Sequence, residues 1–404
     1  MKHTSVSCCV ALLFMAFSMA PSADTESASS NQPLFPIAAE HKIPDPRGTF
    51  EAIRSLILER YYTDAITEED LYWAAIQGML RHISPPQDPE RATVWPPEQY
   101  ARILNTLKGV QTSAGIKSAY TKEDGSLTVS DVIPGSPADG VVQPLDRILR
   151  INGEKLLNKP VTELDGLLNG APGTRIVLTL VRDIQLLDVT LTLTEFKANN
   201  VEVAMLPRET GYARVEKISQ GVSKELHAAI VPLQDRGVKK LIIDLRDNSG
   251  GVFNEGMKLA ELFLENKETV LHTLQRGDRI QTFVSGNNAP MSFDLVIIVN
   301  KKTASSSEIF AGALQANRRS RLVGTPTFGK ATVEKTFTLE NQFRVKFIVG
   351  AMYRPGGKSW QGKGLRPDFV VEEDAKRLAK IARLPIEDRL RNDRQLNAAW
   401  QLLQ

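Results

Sequence analysis

The stretch that most constrains this chain runs from Asp294 to Lys330, DLVIIVNKKTASSSEIFAGALQANRRSRLVGTPTFGK. Leu295 to Val299 is an unbroken apolar run, too short for a helix, and such a run reads as a strand covered on both faces. After a polar turn comes a serine-rich step into a helix, whose Ile309, Phe310, Ala313 and Leu314 recur at helical spacing. A second strand, Arg321 to Gly324, then leads to Gly329 and Lys330. Lys239 to Leu245 is another apolar run of this kind. It ends in Arg246-Asp247-Asn248-Ser249-Gly250-Gly251 and is followed by a helix over Asn254 to Leu264. Gly211 to Val215 and Ser223 to Arg236 read as a further strand and helix, so an α/β core is expected from Asn200 onward.

A serine just before a helix is ordinarily an N-cap, and Ser305, Ser306 and Ser307 all fit that role. The alternative is a nucleophile. The five histidines, His3, His41, His82, His227 and His272, all lie outside this stretch. A nucleophilic serine here needs another base, and Lys330 is the candidate. Lysine acts as a base only when neutral, which burial promotes, and the setting Phe328-Gly329-Lys330-Ala331 is tight and apolar. The Gly250-Gly251 pair permits close backbone approach and places N–H groups at a helix start, where negative charge is stabilised. It lacks the G-K-[ST] of a phosphate loop. A glycine pair kept only for its turn is the bland alternative.

With 404 residues the chain should divide into two or three domains. A formal charge of +3 and no basic stripe interleaved with aromatics give no indication of nucleic-acid binding. Residues 1–23 read as a signal peptide: Lys2, then a mainly apolar run from Val6 to Phe17, then small residues at Ser18 and Ala20, too short for a membrane span. Both cysteines, Cys8 and Cys9, fall inside it, so the mature chain has neither disulfides nor cysteine chemistry. The expected address is periplasmic or secreted.

Residues 24–44 read as a flexible leader and 45–107 as a helical segment. In that segment Phe50, Ile53, Leu56 and Ile57 share one face, and Leu71, Ala74, Ala75, Gly78 and Met79 another. Residues 108–197 switch to short β-type runs (Ser126 to Ile133, Arg147 to Ile151, Arg175 to Val181, Leu187 to Leu193) between Gly, Pro, Asn and Asp turns. The core is placed at 198–374. A C-terminal helical segment follows at 375–404, with Leu378, Ile381, Ala382, Leu396, Ala399 and Trp400 on its apolar face, for packing on the core or for self-association.

TASSSEIFAGALQ followed by VGTPTFGK resembles the catalytic segment of the carboxyl-terminal processing peptidases, or tail-specific proteases. That family has (S/T)-A-S-A-S-E-I and then G-x-x-T-F-G-K, with the nucleophile at the middle serine and the base lysine 25 residues later. Ser305 and Lys330 hold those places. The resemblance extends from about Tyr61 to the C-terminus. It implies an α+β, α/β multidomain protein: a helical N-terminal segment, a PDZ-like β-rich domain, and a protease core of the ClpP/crotonase-like type. VIPGSPADGVVQPLDRILRINGEKL looks like such a PDZ domain, with Ala114-Gly115-Ile116 where a peptide carboxylate is bound by backbone N–H groups. The D-L-R-x-N-x-G-G resemblance assigns the oxyanion hole to Gly250, with the N–H of Ser306 as second donor. In GAMYRPGGKSWQGKGLRPDFVVE, also close to the family pattern, the glycines and prolines read as turn chemistry, with no catalytic role for Tyr353, Lys358 or Gln361.

The chain departs from the family at two places. His82-Ile83-Ser84-Pro85-Pro86 replaces an L-D-P-H-S step, with packing its expected role, and Glu334 replaces a glutamine four residues after the lysine. On a strand Glu334 faces the same side as Lys330. Ionised, it favours the charged lysine and opposes a neutral base; protonated, it could stand in for glutamine. Glu334 is thus a doubtful third member. The resemblance implies a serine endopeptidase that cuts exported proteins near their C-termini under PDZ control. A catalytically inactive PDZ scaffold is the rival reading. No cofactor or metal is implied, since no His, Cys or carboxylate cluster has ligand spacing. Expected partners are protein substrates, with an activating adaptor and self-assembly left open.

Overall fold

The computed structural model describes residues 43–404 apart from 87, 122–123, 158, 160, 198, 375–376, 379–380 and 382–383. The expected signal peptide, all but the last two residues of the expected leader, and Ala382 lie outside the described residues. No helix among the described residues is long and apolar enough to cross a membrane.

The described chain opens with α1 (Pro46–Arg60) and α2 (Glu68–His82). Asp45 caps α1 by accepting from the Gly48 N–H, and Thr67 with Asp70 forms a capping box at the start of α2. The apolar face read on α1 is left open, with Phe50, Ile53 and Leu56 exposed, and α2 buries only Leu80. The Ser84 hydroxyl closes the turn after α2, donating to Leu80 O and accepting from the Ala92 N–H, both at 2.9 Å. This gives the divergent His82–Pro86 step a conformational role. β1 (Thr93–Trp95) and α3 (Pro97–Leu107) follow.

β2 (Val110–Ser113) pairs antiparallel with β9 (Thr194–Lys197), pinning together the ends of the segment between them. That segment is a sheet in the order β3 (Ile116–Thr121), β4 (Ser126–Val132), β5 (Arg147–Ile151), β7 (Arg175–Arg182), β8 (Gln185–Thr192), with β6 (Glu154–Lys155) on β5 and a short helix, α4 (Val161–Leu167). Its core of Leu127, Val129, Ile148, Ile151, Leu178 and Leu180 is separate from that of the rest of the molecule. Lys117 Nζ reaches across to Glu216 at 3.0 Å.

The main sheet runs β10 (Val201–Leu206), β11 (Thr210–Val215), β12 (Lys240–Asp244), β15 (Asp294–Val299), β16 (Ser320–Gly324), β19 (Phe369–Val370). All neighbours are parallel except β10 with β11. Leu241, Ile243, Leu295, Ile297 and Val299 pack against α5 (Val222–Asp235), α6 (Phe253–Glu261) and α7 (Ser306–Ala316). The alternate residues Ile242, Val296 and Ile298 pack against Leu390, Leu396 and Ala399 of α8 (Ile386–Asn392) and α9 (Arg394–Gln401). Covering both faces is what demands the unbroken apolar runs. A second sheet runs β1, β18 (Arg344–Tyr353), β13 (Thr269–Gln275), β14 (Arg279–Val284), with β17 (Thr332–Thr338) also on β18.

Two short helices end the chain where a longer helical stretch was expected. They break at Asp393, whose Oδ1 accepts from the N–H groups of Gln395 and Leu396 at 3.0 Å. Its Oδ2 lies 2.7 Å from the Arg246 guanidinium, which also grips Asp244 at 2.6 Å. All three side chains are buried. Burial alone would raise the Asp244 carboxyl, but the Arg246 guanidinium overcomes it and holds the group far below the usual carboxylate range. Arg246→Ala strands two buried carboxylates. The expected loss is about 3–5 kcal/mol of unfolding free energy, read from urea denaturation; an unchanged midpoint would show that the cluster is not a structural anchor.

Candidate active site

Three loops meet at one edge of the main sheet because β12, β15 and β16 are adjacent and parallel, so their C-terminal ends lie side by side. In open α/β sheets ligands bind at such an edge. The loop after β12 carries Gly250, the loop after β15 carries Ser305, and the loop after β16 carries Lys330. Side-chain and backbone bonds lock the first two together. Thr303 Oγ1 donates to Leu245 O at 2.8 Å, the Ala304 N–H donates to Asn248 O at 3.0 Å, and Asn248 Nδ2 donates to Val215 O at 2.8 Å.

Ser305 is the N-cap of α7, at φ 56° and ψ −120°, a conformation that non-glycine residues rarely adopt. Its carbonyl oxygen accepts from the Glu308 N–H at 2.8 Å. Ser306 and Ser307 are fully buried, whereas Ser305 is half-buried. Of the three serines weighed as caps or nucleophiles, Ser305 alone can meet a substrate.

The fixed point of the site is a residue the sequence reading passed over. Glu308, on the first turn of α7, is completely buried. Its Oε2 accepts from the Ser305 N–H at 2.9 Å and from the Lys330 N–H at 2.8 Å. Its Oε1 accepts from the Thr327 hydroxyl at 2.5 Å and the Gly329 N–H at 2.8 Å. One oxygen thus ties the backbones of Ser305 and Lys330, whose nitrogens can be no farther apart than those two legs together. Burial raises the Glu308 carboxyl above its ordinary range, against the pull of these hydrogen bonds. The local signal was present: Ser305-x-x-Glu308 has the spacing of a capping box. Gln361, read from sequence as having no catalytic role, touches the lysine loop. Its Oε1 accepts from the Ala331 N–H at 2.7 Å and fixes the lysine loop from the other side.

Gly250 has φ 89°, and a Cβ there would sit 2.6 Å from Ala304 O and 2.9 Å from Ser306 N, so only glycine lets the two loops approach. The Ser306 N–H, at the first position of α7, has no protein acceptor among the described residues. The Gly250 N–H donates to Asn248 Oδ1 at 2.9 Å, while that of the neighbouring Gly251 has no acceptor among the described residues.

Lys330 Nζ is 2.9 Å from Glu334 Oε1, and among the described residues it shares no hydrogen bond with Ser305. Glu334 also faces Lys346 at 3.3 Å and Arg91 at 3.7 Å. Burial would raise the Glu334 carboxyl, but Lys330, Lys346 and Arg91 outweigh it and hold the group below its ordinary range. These cations favour the ionised form of Glu334 over the protonated stand-in for glutamine.

Residues 209–371 match the model of Peptidase family S41, and residues 128–182 match that of a PDZ domain. The chain is 29% identical over 329 residues to a protein of Staphylococcus saprophyticus named "Probable CtpA-like serine protease", over 80% of this chain and 65% of that one. It is 29% identical over 333 residues to the carboxyl-terminal-processing protease of Synechocystis sp., over 81% of this chain and 77% of that one. Over residues 209–371 the chain is similar to peptidase family S41.

Among solved structures one named "Putative S41 protease from Bacteroides fragilis" shares the fold, with a TM-score of 0.57 at 18% identity, over 90% of this chain and 98% of that one. The chain spans 65% of the staphylococcal relative's length. The multidomain α+β organisation expected from sequence, with a PDZ domain and an S41 core, is the one found.

In the PDZ domain, Ala114-Gly115-Ile116 leads into β3. The Ala114 N–H donates to Leu168 O at 2.8 Å and the Gly115 N–H to Ser113 Oγ at 3.1 Å, so these two donors are engaged within the domain. Gly115 has φ 74°, and a Cβ there would overlap the Ser136 side chain.

Glu308→Gln turns one acceptor oxygen into an N–H donor that faces N–H or O–H donors. The expected cost is about 2–4 kcal/mol of stability, from the two bonds lost at that atom. Hydrogen exchange should show the amides of Ser305 and Lys330 losing protection together; protection lost at one alone would contradict the shared-oxygen description.

Proposed function

We propose that this chain is an exported serine endopeptidase that cuts proteins near their C-termini with a Ser305–Lys330 dyad. The observation that carries this reading is the shared Glu308 oxygen. It holds the one accessible serine of the segment and the lysine of the neighbouring loop at the same point, beside the open N–H of Ser306.

In the proposed reaction Lys330, in its neutral form, takes the Ser305 hydroxyl proton as Oγ attacks the scissile carbonyl. The resulting oxyanion is met by the Ser306 N–H and by the glycine turn, where Gly250 must exchange its Asn248 partner or Gly251 supplies the donor. Each such donor is worth roughly 3 kcal/mol in the transition state. Lys330 then gives the proton to the leaving amine, and water, activated by the same lysine, releases the acyl group. Export rests on the apolar run of residues 6–17 and the small residues after it. The domain boundaries proposed are 45–107, 108–197, 198–374 and 375–404. PDZ control of substrate entry is supported by the Lys117–Glu216 contact, which joins the domain to the core. The Lys330–Glu334 pair favours a second reading, a catalytically silent PDZ scaffold, since a carboxylate 2.9 Å from the lysine opposes a neutral base.

Casein cleavage by the mature protein from pH 6 to 10 separates the two. The endopeptidase should cleave more rapidly as pH rises, and Ser305→Ala and Lys330→Ala should each lose at least about 10³-fold in rate with the fold retained, since each removes half of a unit. Absence of cleavage at every pH, or full activity in Ser305→Ala, would overturn the proposal.

A further inference from the structure

We infer that Arg91 and Lys346 are positioning residues for the lysine base, holding the Glu334 carboxylate between three cations so that the site is electrically balanced only when Lys330 has lost its proton. This deepens the dyad reading and rests on it.

The cations come from three separate segments. Lys330 precedes β17, Lys346 lies on β18, and Arg91 lies in the turn between α2 and β1, outside the stretch that matches the S41 model. Glu334 Oε1 faces Lys330 at 2.9 Å and Arg91 at 3.7 Å, and Oε2 faces Lys346 at 3.3 Å. Arg91 is buried and placed with care. Asp88 grips it at 2.8 Å, its NH1 donates to Thr332 Oγ1 at 3.2 Å, and the Ser84 hydroxyl holds the next residue, Ala92. Lys346 Nζ lies over the Trp95 ring, 5.4 Å from its centroid, and so is steadied from β1. Glu308 meets the Lys330 backbone, not its ammonium.

The charges can be counted. With Lys330 protonated, three cations (Lys330, Lys346, Arg91) stand against two carboxylates (Glu334, Asp88), leaving one positive charge in excess. With Lys330 neutral, the two remaining cations and two carboxylates match. A Glu334 paired with Lys330 alone would behave in the opposite way, since removing the proton would leave a largely buried anion unpaired. Arg91 and Lys346 thus turn a carboxylate that opposes the neutral base into part of a cluster that accepts it. Arg91 also makes the base depend on the N-terminal helical segment.

The test reads the lysine directly. Lys330 is labelled with acetic anhydride across pH and quantified by mass spectrometry, alongside the pH–rate profile for casein. Arg91→Gln and Lys346→Gln should each move both midpoints up by about one pH unit, whereas Arg91→Lys, which keeps the charge, should restore the midpoint. Glu334→Gln should move both midpoints down. A residue that merely supports the fold would lower the rate at every pH and leave the labelling midpoint in place. That result, or a shift in the opposite direction, would overturn the inference. Should Arg91→Gln fail to fold, Lys346→Gln, at a partly exposed position, carries the same test. If Lys330→Ala still cleaves casein, the dyad reading falls, while the labelling midpoints still report on the charge cluster.

Discussion

A buried carboxylate is costly unless every lone pair it presents is used, and Glu308 meets that demand with three backbone N–H groups and a hydroxyl. The rest of the site depends on this. Ser305 sits at a strained φ that costs on the order of 1–3 kcal/mol. It persists because its neighbours over-determine it: Glu308 holds its N–H, Asn248 holds the residue before it, and α7 begins at the residue after it. The same carboxylate reaches the lysine loop, so the backbones of Ser305 and Lys330 are held together whatever their side chains do.

The parts legible in the sequence are those that burial dictates locally. Leu295 to Val299 and Leu241 to Ile243 announce strands covered on both faces, and those strands deliver the Ser305 and Gly250 loops. The parts that escaped are pairings across long separations or elements that show little apolar pattern. Arg91 meets Glu334 from another segment of the chain, which no periodicity records. The β13–β14 hairpin went unread because β14 is almost wholly exposed and lacks an apolar alternation. The C-terminal stretch has a helical pattern throughout, yet Asp393 interrupts it because capping α9 and pairing with Arg246 outweigh one continuous helix. Residues of α1 that read as a packing face lie exposed, since amphipathic spacing shows that a face exists without showing what it meets.

Glu334 shows how one residue changes meaning with its surroundings. In isolation, a carboxylate beside a lysine opposes a neutral base. Among Lys346, Arg91 and Asp88, the charge that matters is that of the whole group. The charges around the lysine are then spread over its own loop, two strands and a turn, the last of them outside the core.

The anchor beneath the glycine loop has a consequence for how the protein is made. Asp244 and Arg246 are synthesised well before Ser305 and Lys330, but Asp393, which completes their charge balance, follows both. During vectorial synthesis Ser305 and Lys330 emerge while the glycine loop still lacks its final support. Order in that loop is therefore a late event in the maturation of the chain, and a nascent chain bearing every reactive side chain is not yet a finished site.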